Sequence, residues 1–424
     1  MGFRSQMSLA TRSMSNAIPK SLSASKRARS QENKRSLNPS PVQKAPKVEE
    51  PLVEASADPP HFLRLENDGK LGTSITTCRK RPALTGLAEI SSKFEDLAWQ
   101  EQMRIANGRV NPESPWVQDQ TTPTRLRNRY GNVQPWEKSR IRLRVAEGQS
   151  DYINASPILL KDPNTSQQWT YIATQGPKDT GFVHFWHMVW HETDEVAVIV
   201  MLTQVAEAGR EKCFQYFPHS SEIGPFKIES SPHAEGLPDG SIEVVEQSFD
   251  EDARTTMRRL ILRFGEESKI VWHLLFEAWP DFSIPEGDDK IALMKLIELS
   301  REKQASSRDR RFVHCSAGIG RSGTFIALEY LLAQVESGRI AEAADDEDII
   351  YDTVNALREQ RMTMVQSVFQ YQFLYEVVLE RYKEWQIRKQ ASIGSTPKLK
   401  KVSTDVHGHF ALKAADTRDN NERT

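Results

Sequence analysis

The segment Val313-His-Cys-Ser-Ala-Gly-Ile-Gly-Arg-Ser-Gly-Thr324 gathers a nucleophile, a cation and three glycines into one short stretch of chain. Apolar residues precede it and a helical run, Phe325–Leu332, follows, so Cys315 lies at the mouth of a strand-loop-helix turn. Gly318, Gly320 and Gly323 let the backbone curl tightly and turn the N–H groups of Ser316, Ala317, Gly318, Ile319 and Gly320 inward, an anion nest at a helix N-terminus. Phosphate is the natural guest. The same donors, the helix dipole, His314 and the Ser322 hydroxyl are expected to stabilise a Cys315 thiolate and lower its pKa below the unperturbed ~8.5. Arg321 sits across the loop, where its planar fork can clamp two phosphoryl oxygens and stabilise transition-state charge. The bland alternative is a buried thiol in a glycine-rich turn, with Arg321 in a surface ion pair. A histidine before the cysteine, the glycines and the trailing Ser-Gly-Thr argue jointly against it.

Residues 314–323 match the signature H-C-S-A-G-x-G-R-[ST]-G at every position, and the chain resembles the tyrosine-specific protein phosphatases over about residues 85–388. Transfer to Cys315 requires a proton for the departing phenolate. Asp281, in Trp279-Pro280-Asp281-Phe282, looks like the acid of the family's mobile loop, a proton donor in the first step and a base in the second. The resemblance makes Trp279 the hinge anchor and places Phe282 near the substrate ring; Ser283 stands where the family often has Gly. In Arg361-Met-Thr-Met-Val-Gln-Ser-Val-Phe-Gln370, Gln366 resembles the residue that orients the hydrolytic water, and Gln370 matches a second family glutamine. Each reads otherwise as a polar residue at a helix start.

Asn128-Arg-Tyr-Gly-Asn-Val133 resembles the family's substrate-recognition loop, where the tyrosine, here Tyr130, stacks on the phosphotyrosine ring and sets pocket depth. Asn132, beside Val133, stands where the family usually has an Asp that holds the peptide backbone. By the same resemblance Glu207 pairs with Arg321 and Lys212 faces the acid loop, although a solvated charged loop also explains Lys212. Cys213 reads as a small core residue, and the segments 151–155 and 171–177 as scaffold. A dual-specificity or phosphoinositide phosphatase is the runner-up, disfavoured by the absence of lysines between Cys315 and Arg321. A silent phosphotyrosine-binding module is the alternative from another class, set against by the retention of Cys315, Arg321, Asp281 and Gln366. A papain-like protease is excluded because His314, adjacent in a strand, points to the other face.

The elements that must position these groups follow from the hydrophobic pattern. It predicts a helix over 87–106, a strand near 169–174, a helix over Phe182–His191, a strand over 195–202 and strands around 257–276. A helix over 288–304, the short strand Arg311–His314 and helices over 322–337, 350–359 and 367–386 complete the series. This mixture predicts an α/β (α+β) domain, a central twisted mixed sheet flanked by helices, over residues 85–388. Residues 1–84 and 389–424 read as disordered tails, for lack of a sustained apolar period.

The chain of 424 residues has a formal net charge of -2, which argues against broad binding to nucleic acid. Residues 1–48 nevertheless carry ten Lys/Arg against the single acidic Glu32. The basic islands 26–29 and 34–35 fit a solvated charge run or a nuclear-import signal, and the lack of acids before Glu32 also permits a mitochondrial presequence. Three cysteines without a CxxC pair fit a reducing compartment, and the longest apolar run, Val196–Leu202, is too short to span a bilayer. The expectation is a soluble cytoplasmic monomer, with a nuclear share allowed, acting on phosphotyrosine proteins such as tyrosine-phosphorylated kinases. The resemblance implies no metal and no organic cofactor.

Overall fold

The structure is a computed structural model that describes residues 59–64, 86–229, 237–279, 283–306 and 309–394. In chain order the elements are α1 (Leu87–Val110), α2 (Thr122–Arg127), β1 (Ala155–Lys161), β2 (Gln168–Thr174), α3 (Phe182–His191) and β3 (Val196–Met201). Next come β4 (Ala206–Glu207), β5 (Arg210–Glu211), β6 (Phe226–Ile228), β7 (Gly240–Asp250), β8 (Thr255–Phe264) and β9 (Glu267–Phe276). The chain continues through α4 (Asp288–Glu302), β10 (Arg311–His314), α5 (Gly320–Glu336), α6 (Ile349–Gln360) and α7 (Val368–Gly394). Three 3₁₀ turns are interspersed, the first at His61–Leu63.

Eight strands form one mixed sheet in the order β1-β2-β10-β3-β9-β8-β7-β6. The inner strands β2, β10, β3 and β9 run parallel, and the outer pairs are antiparallel. Composition explains the division. Strand β3 reads Val-Ala-Val-Ile-Val-Met, apolar at every position, as a strand covered on both faces requires. Strand β7 leaves much of its length half-buried or exposed, as suits a flank of the sheet.

Side chains alternate across the sheet and so divide the core in two. Val313, Val198 and Val200 belong to the layer that includes buried residues of α4, α5, α6 and α7. Phe312, Ile199 and Met201 belong to the other layer, with α3. The parallel strands end together, so the chain after Thr174, Met201, Phe276 and His314 emerges on one edge, where ligands bind in open α/β sheets. The base of β10 is fixed by Arg311, buried and donating to Glu329 of α5 at 2.5 Å and to Ser300 of α4 at 2.7 Å.

The expected elements are present, and the region around 257–276 is the hairpin of β8 and β9. Strands β1, β4, β5, β6 and β7 and the short helix α2 are additions to the pattern-based reading. Helix α7 runs to Gly394, past the boundary expected at 388. Most of the tail assigned to 1–84 lies outside the described residues, but Phe62 and Leu63 within it are buried in the core. Among the described residues no helix is long and apolar enough to cross a membrane.

Candidate active site

Between His314, the last residue of β10, and Gly320, the first of α5, the loop turns Gly318 N–H toward Cys315 Sγ at 3.3 Å. Of its three glycines only Gly318 has a left-handed backbone, φ +72°. Gly320 and Gly323 serve close approach instead: a Cβ on Gly323 would lie 2.4 Å from Val365 N, and one on Gly320 would lie 3.1 Å from the Gln366 and Gln370 amides. Inward N–H groups leave carbonyls pointing outward, and these need partners. Arg361, fully buried, supplies them: its Nε donates to Gly318 O at 2.8 Å and its Nη2 to Ala317 O at 3.1 Å. Its remaining bonds run to Asn154 Oδ1 at 2.8 Å and Ser156 Oγ at 3.2 Å, and burial pushes its pKa down to about 10.

Burial opposes ionisation of the Cys315 thiol, but the Ser322 hydroxyl, the Arg321 charge and the Ser322 and Gly318 N–H groups outweigh it and hold the pKa below the ordinary thiol value. Ser322 Oγ is buried with no partner meeting hydrogen-bond geometry, so this effect requires its rotatable proton to turn toward Sγ. His314 acts differently from the direct thiolate support expected of it. Its Nδ1 lies 3.1 Å from Cys315 O and its Nε2 2.7 Å from the Tyr216 hydroxyl, which also meets His273 Nε2 at 3.0 Å. A neutral His314 that donates from Nδ1 to Cys315 O must accept from Tyr216, so His273 donates to Tyr216. His273 Nδ1, the unprotonated nitrogen in that tautomer, has no hydrogen-bond partner among the described residues, so no N–H is left buried and unpaired there. Burial pushes the His314 pKa down to about 4 and that of His273 well down, so both are neutral near pH 7 and contribute orientation without charge.

Arg321 is aimed by a two-pronged ion pair with Glu207, Nη1 to Oε1 at 2.6 Å and Nη2 to Oε2 at 3.0 Å, and Nη1 also donates to Leu202 O at 3.1 Å. Glu207 sits on the hairpin of β4 and β5, whose central residues Ala208 (φ 48°) and Gly209 (φ 73°) make the left-handed two-residue turn suited to the strand twist. Burial would raise the Glu207 carboxyl, but Arg321, Thr203 and the Gln204 N–H hold it below its usual range. Lys212 Nζ lies 3.9 Å from Glu207 Oε2.

The recognition loop is braced from behind. Asn154 Nδ2 donates to Val133 O and to Asn128 Oδ1, each at 2.8 Å, and Gln175 Oε1 accepts from Arg129 N–H at 2.8 Å. Ser316 Oγ donates to Lys212 O at 2.8 Å and is 2.8 Å from the Tyr130 hydroxyl, which must then donate to it. The glutamine segment is strained: Thr363 and Val365 both have φ 59°. Glu101 of α1 accepts from the Thr363 N–H and hydroxyl at 2.6 Å each, while Arg358 of α6 donates to Met364 O at 3.1 Å and Val365 O at 3.0 Å. Val365 N–H donates to Ile319 O at 3.1 Å and fastens this segment to the cysteine loop. Ser367 Oγ accepts from Gln370 N–H at 3.2 Å and caps α7, Gln370 Oε1 reaches back to accept from Ser367 N–H at 3.4 Å and Gln366 N–H at 3.0 Å, and the exposed Gln366 side chain lines the cleft.

A cleft of about 440 Å³ unites Tyr130, Asn132, Val133, Glu207, Lys212, Cys315, Ser316, Ala317, Gly320, Arg321, Gln366 and Gln370. Ile319 is fully buried and faces the core, and His314 and Ser322 lie behind the loop. Trp279 is buried too, and its Nε1 donates to Ser283 O at 3.1 Å. Asp281 and Phe282 lie outside the described residues. A second cavity of about 520 Å³ between β1, α5 and α6 is lined by no cysteine. Asn154 and Gln175 fall in the segments read as scaffold, while sequence reasoning missed the supports Arg361, Tyr216, His273 and Glu101. Arg361 was within reach, since it is the one charge in Arg361-Met-Thr-Met-Val365.

The family profile for protein-tyrosine phosphatase matches residues 124–380. Tyrosine-protein phosphatase 2 of Schizosaccharomyces pombe is 36% identical over 302 residues, which are 69% of this chain and 39% of that protein. Tyrosine-protein phosphatase 1 of Saccharomyces cerevisiae is 35% identical over 315 residues, covering 68% of this chain and 92% of that one. Among solved structures, the catalytic domain of human protein tyrosine phosphatase non-receptor type 18 is similar at TM-score 0.56 and 28% identity, covering 70% of this chain and 97% of that one. That human protein has also been solved in complex with phosphopeptides.

Proposed function

Because this chain belongs to the protein-tyrosine phosphatase family, we propose that it hydrolyses phosphotyrosine in proteins through a phosphocysteine intermediate. The observation that carries the reading is Cys315, its pKa lowered, in one cleft with an Arg321 fork already aimed by Glu207. In the first step Sγ attacks phosphorus while the P–O bond to the tyrosine breaks. Arg321 and the loop N–H groups hold the equatorial oxygens, and Asp281 gives its proton to the departing phenolate. In the second step water, placed by Gln366, attacks phosphorus and loses a proton to Asp281, and the thiolate departs. Gln370 supports Gln366 from the helix cap.

Tyr130 forms a wall of the cleft and its hydroxyl meets Ser316 of the cysteine loop, which supports a recessed thiol that an aryl phosphate reaches and a shorter phosphoserine does not. Phe282 closes over the ring, and Lys212 faces the acid loop in this reading. Substrates are phosphotyrosine proteins, tyrosine-phosphorylated kinases among them, in signalling, and the protein acts as a monomer. Cys213 and Cys315 are both free thiols, which supports a reducing compartment such as the cytoplasm.

The test is turnover of p-nitrophenyl phosphate, a phosphotyrosine peptide, a phosphoserine peptide and a phosphoinositide, with wild-type protein and Cys315→Ser. The expected result is activity on the first two substrates alone and none with the variant, which still binds phosphotyrosine peptide because the nest remains. Phosphoinositide as the best substrate, or a tenth of the activity surviving in Cys315→Ser, overturns the reading.

A further inference from the structure

The described chain includes a short piece far upstream of α1. Pro59–Arg64 reads Pro-Pro-His-Phe-Leu-Arg, an adjacent aromatic–aliphatic pair after two prolines. Pro60 enters in an extended conformation (φ -48°, ψ 151°) and His61–Leu63 forms a single 3₁₀ turn. The turn satisfies its own backbone: Leu63 N–H donates to Pro60 O at 2.9 Å, Arg64 N–H to His61 O at 3.2 Å and Arg64 Nε to Pro59 O at 3.0 Å. What it presents outward is an apolar pair. Phe62 is 1% exposed and Leu63 0%, both part of the core layer beneath the sheet, and the turn contacts α7.

Residues 65–85 separate this turn from the start of α1, so its seating is an association within one chain, governed by effective concentration. The turn closes its own backbone hydrogen bonds and adds no strand or helix to the fold, so its hold on the domain comes from the burial of Phe62 and Leu63. It clasps α7, the helix that begins just after Gln366. We propose that Pro59–Arg64 is a detachable clamp: the chain's own Phe62–Leu63 pair seats on α7 and can leave while the sheet stays folded. The apolar face of α7 beneath it is therefore a docking surface for an aromatic–leucine turn. This proposal rests on packing and is independent of the reaction assigned to Cys315.

The experiment uses the full chain and its double variant Phe62→Ala/Leu63→Ala. The variant is expected to keep its far-ultraviolet circular dichroism and to melt about 3–8 °C lower, the scale of a small docking energy in a domain this large. A synthetic peptide spanning residues 57–66, added at millimolar concentration, restores at least half of that shift in the variant. It binds the wild-type chain at least tenfold more weakly, because the site is occupied. A peptide with Phe62 and Leu63 replaced by alanine binds neither. Unchanged melting in the variant, or equal peptide affinity for both chains, overturns the proposal. Loss of secondary structure in the variant makes the turn part of the indivisible core and overturns it too. Wild-type melting that rises with chain concentration places a second copy's segment on α7 and overturns the intramolecular assignment.

Discussion

Gly318→Ala is the sharpest single perturbation of the cysteine loop. The backbone there has φ +72°, and a Cβ would lie 2.0 Å from Thr174 O, where ordinary contact begins near 3.4 Å. Left-handed geometry alone costs a non-glycine residue about 1–2 kcal/mol, which affects stability more than chemistry. The collision is with backbone and cannot be relieved by a rotamer change, so the loop and β2 must part by more than ~1 Å, a displacement that costs catalysis about 10²-fold. Two bonds stretch with it: Gly318 N–H to Cys315 Sγ at 3.3 Å and Arg361 Nε to Gly318 O at 2.8 Å. The expected outcome is kcat/KM on p-nitrophenyl phosphate lower by about 10²-fold, equivalent to ~2.7 kcal/mol of transition-state binding, together with a raised thiol pKa. Alkylation by iodoacetamide across pH reads the second effect. Gly265→Ala is the control: its φ is +60° with no atom within 4 Å of the added methyl, so it carries the strain without the collision. That variant should melt slightly lower with unchanged kinetics. A folded Gly318→Ala protein with kcat/KM within threefold of wild type and an unshifted thiol would refute the reasoning.

Asp281→Ala should lower kcat by roughly 10²–10⁴-fold, the scale of a lost general acid; an unchanged kcat on a phosphotyrosine peptide removes Asp281 from its role. Asn132→Asp should lower KM for phosphotyrosine peptides by an amount equivalent to ~0.5–1.5 kcal/mol, because a carboxylate accepts peptide N–H bonds more strongly than an amide, with p-nitrophenyl phosphate kinetics unchanged. Equal effects on both substrates would place residue 132 in the phosphate pocket itself. The buried histidines set a pH window. His314 is pushed down to about 4 and His273 well down, against about 6.5 for an unfolded histidine, so their stability contribution is full above pH 6.5 and is lost as pH falls toward 4. The melting temperature should decline from pH 6.5 to 5, before most carboxylates titrate, and a flat profile there contradicts the assigned neutral pair.

That Cys315, Gly318 and Arg321 share one loop was legible because their spacing is local. The loop that bears them is a few residues long, and no tertiary fact is needed to see that it can hold an anion. The supports were illegible for the opposite reason. Arg361 reaches Gly318 O across 43 positions of sequence, and Tyr216 meets His314 across 98, so nothing in either neighbourhood announces the contact. His314 was misread on the same ground, since its direction of donation is decided by Tyr216 and His273 rather than by its adjacency to Cys315. In the fold, the continuous apolar run of β3 was plain, whereas β7, Gly-Ser-Ile-Glu-Val-Val-Glu-Gln-Ser-Phe-Asp, mixes charged and apolar residues because much of its length faces solvent. Phe62 and Leu63 escaped notice because two apolar residues have no period.

The grip of Glu101 on Thr363 changes how natural variation in α1 should be interpreted. The helix contributes no atom to the reaction, and a survey that sorts residues by distance from the thiol would mark a substitution at 101 as neutral or as a mild folding defect. Yet its carboxylate fixes a turn, φ 59° at both Thr363 and Val365, that the free chain would not choose, and Gln366 hangs from the end of that turn. Loss of the carboxylate lets the turn relax, so a drift mutation at Glu101 would present as an enzyme that is abundant, soluble and slow.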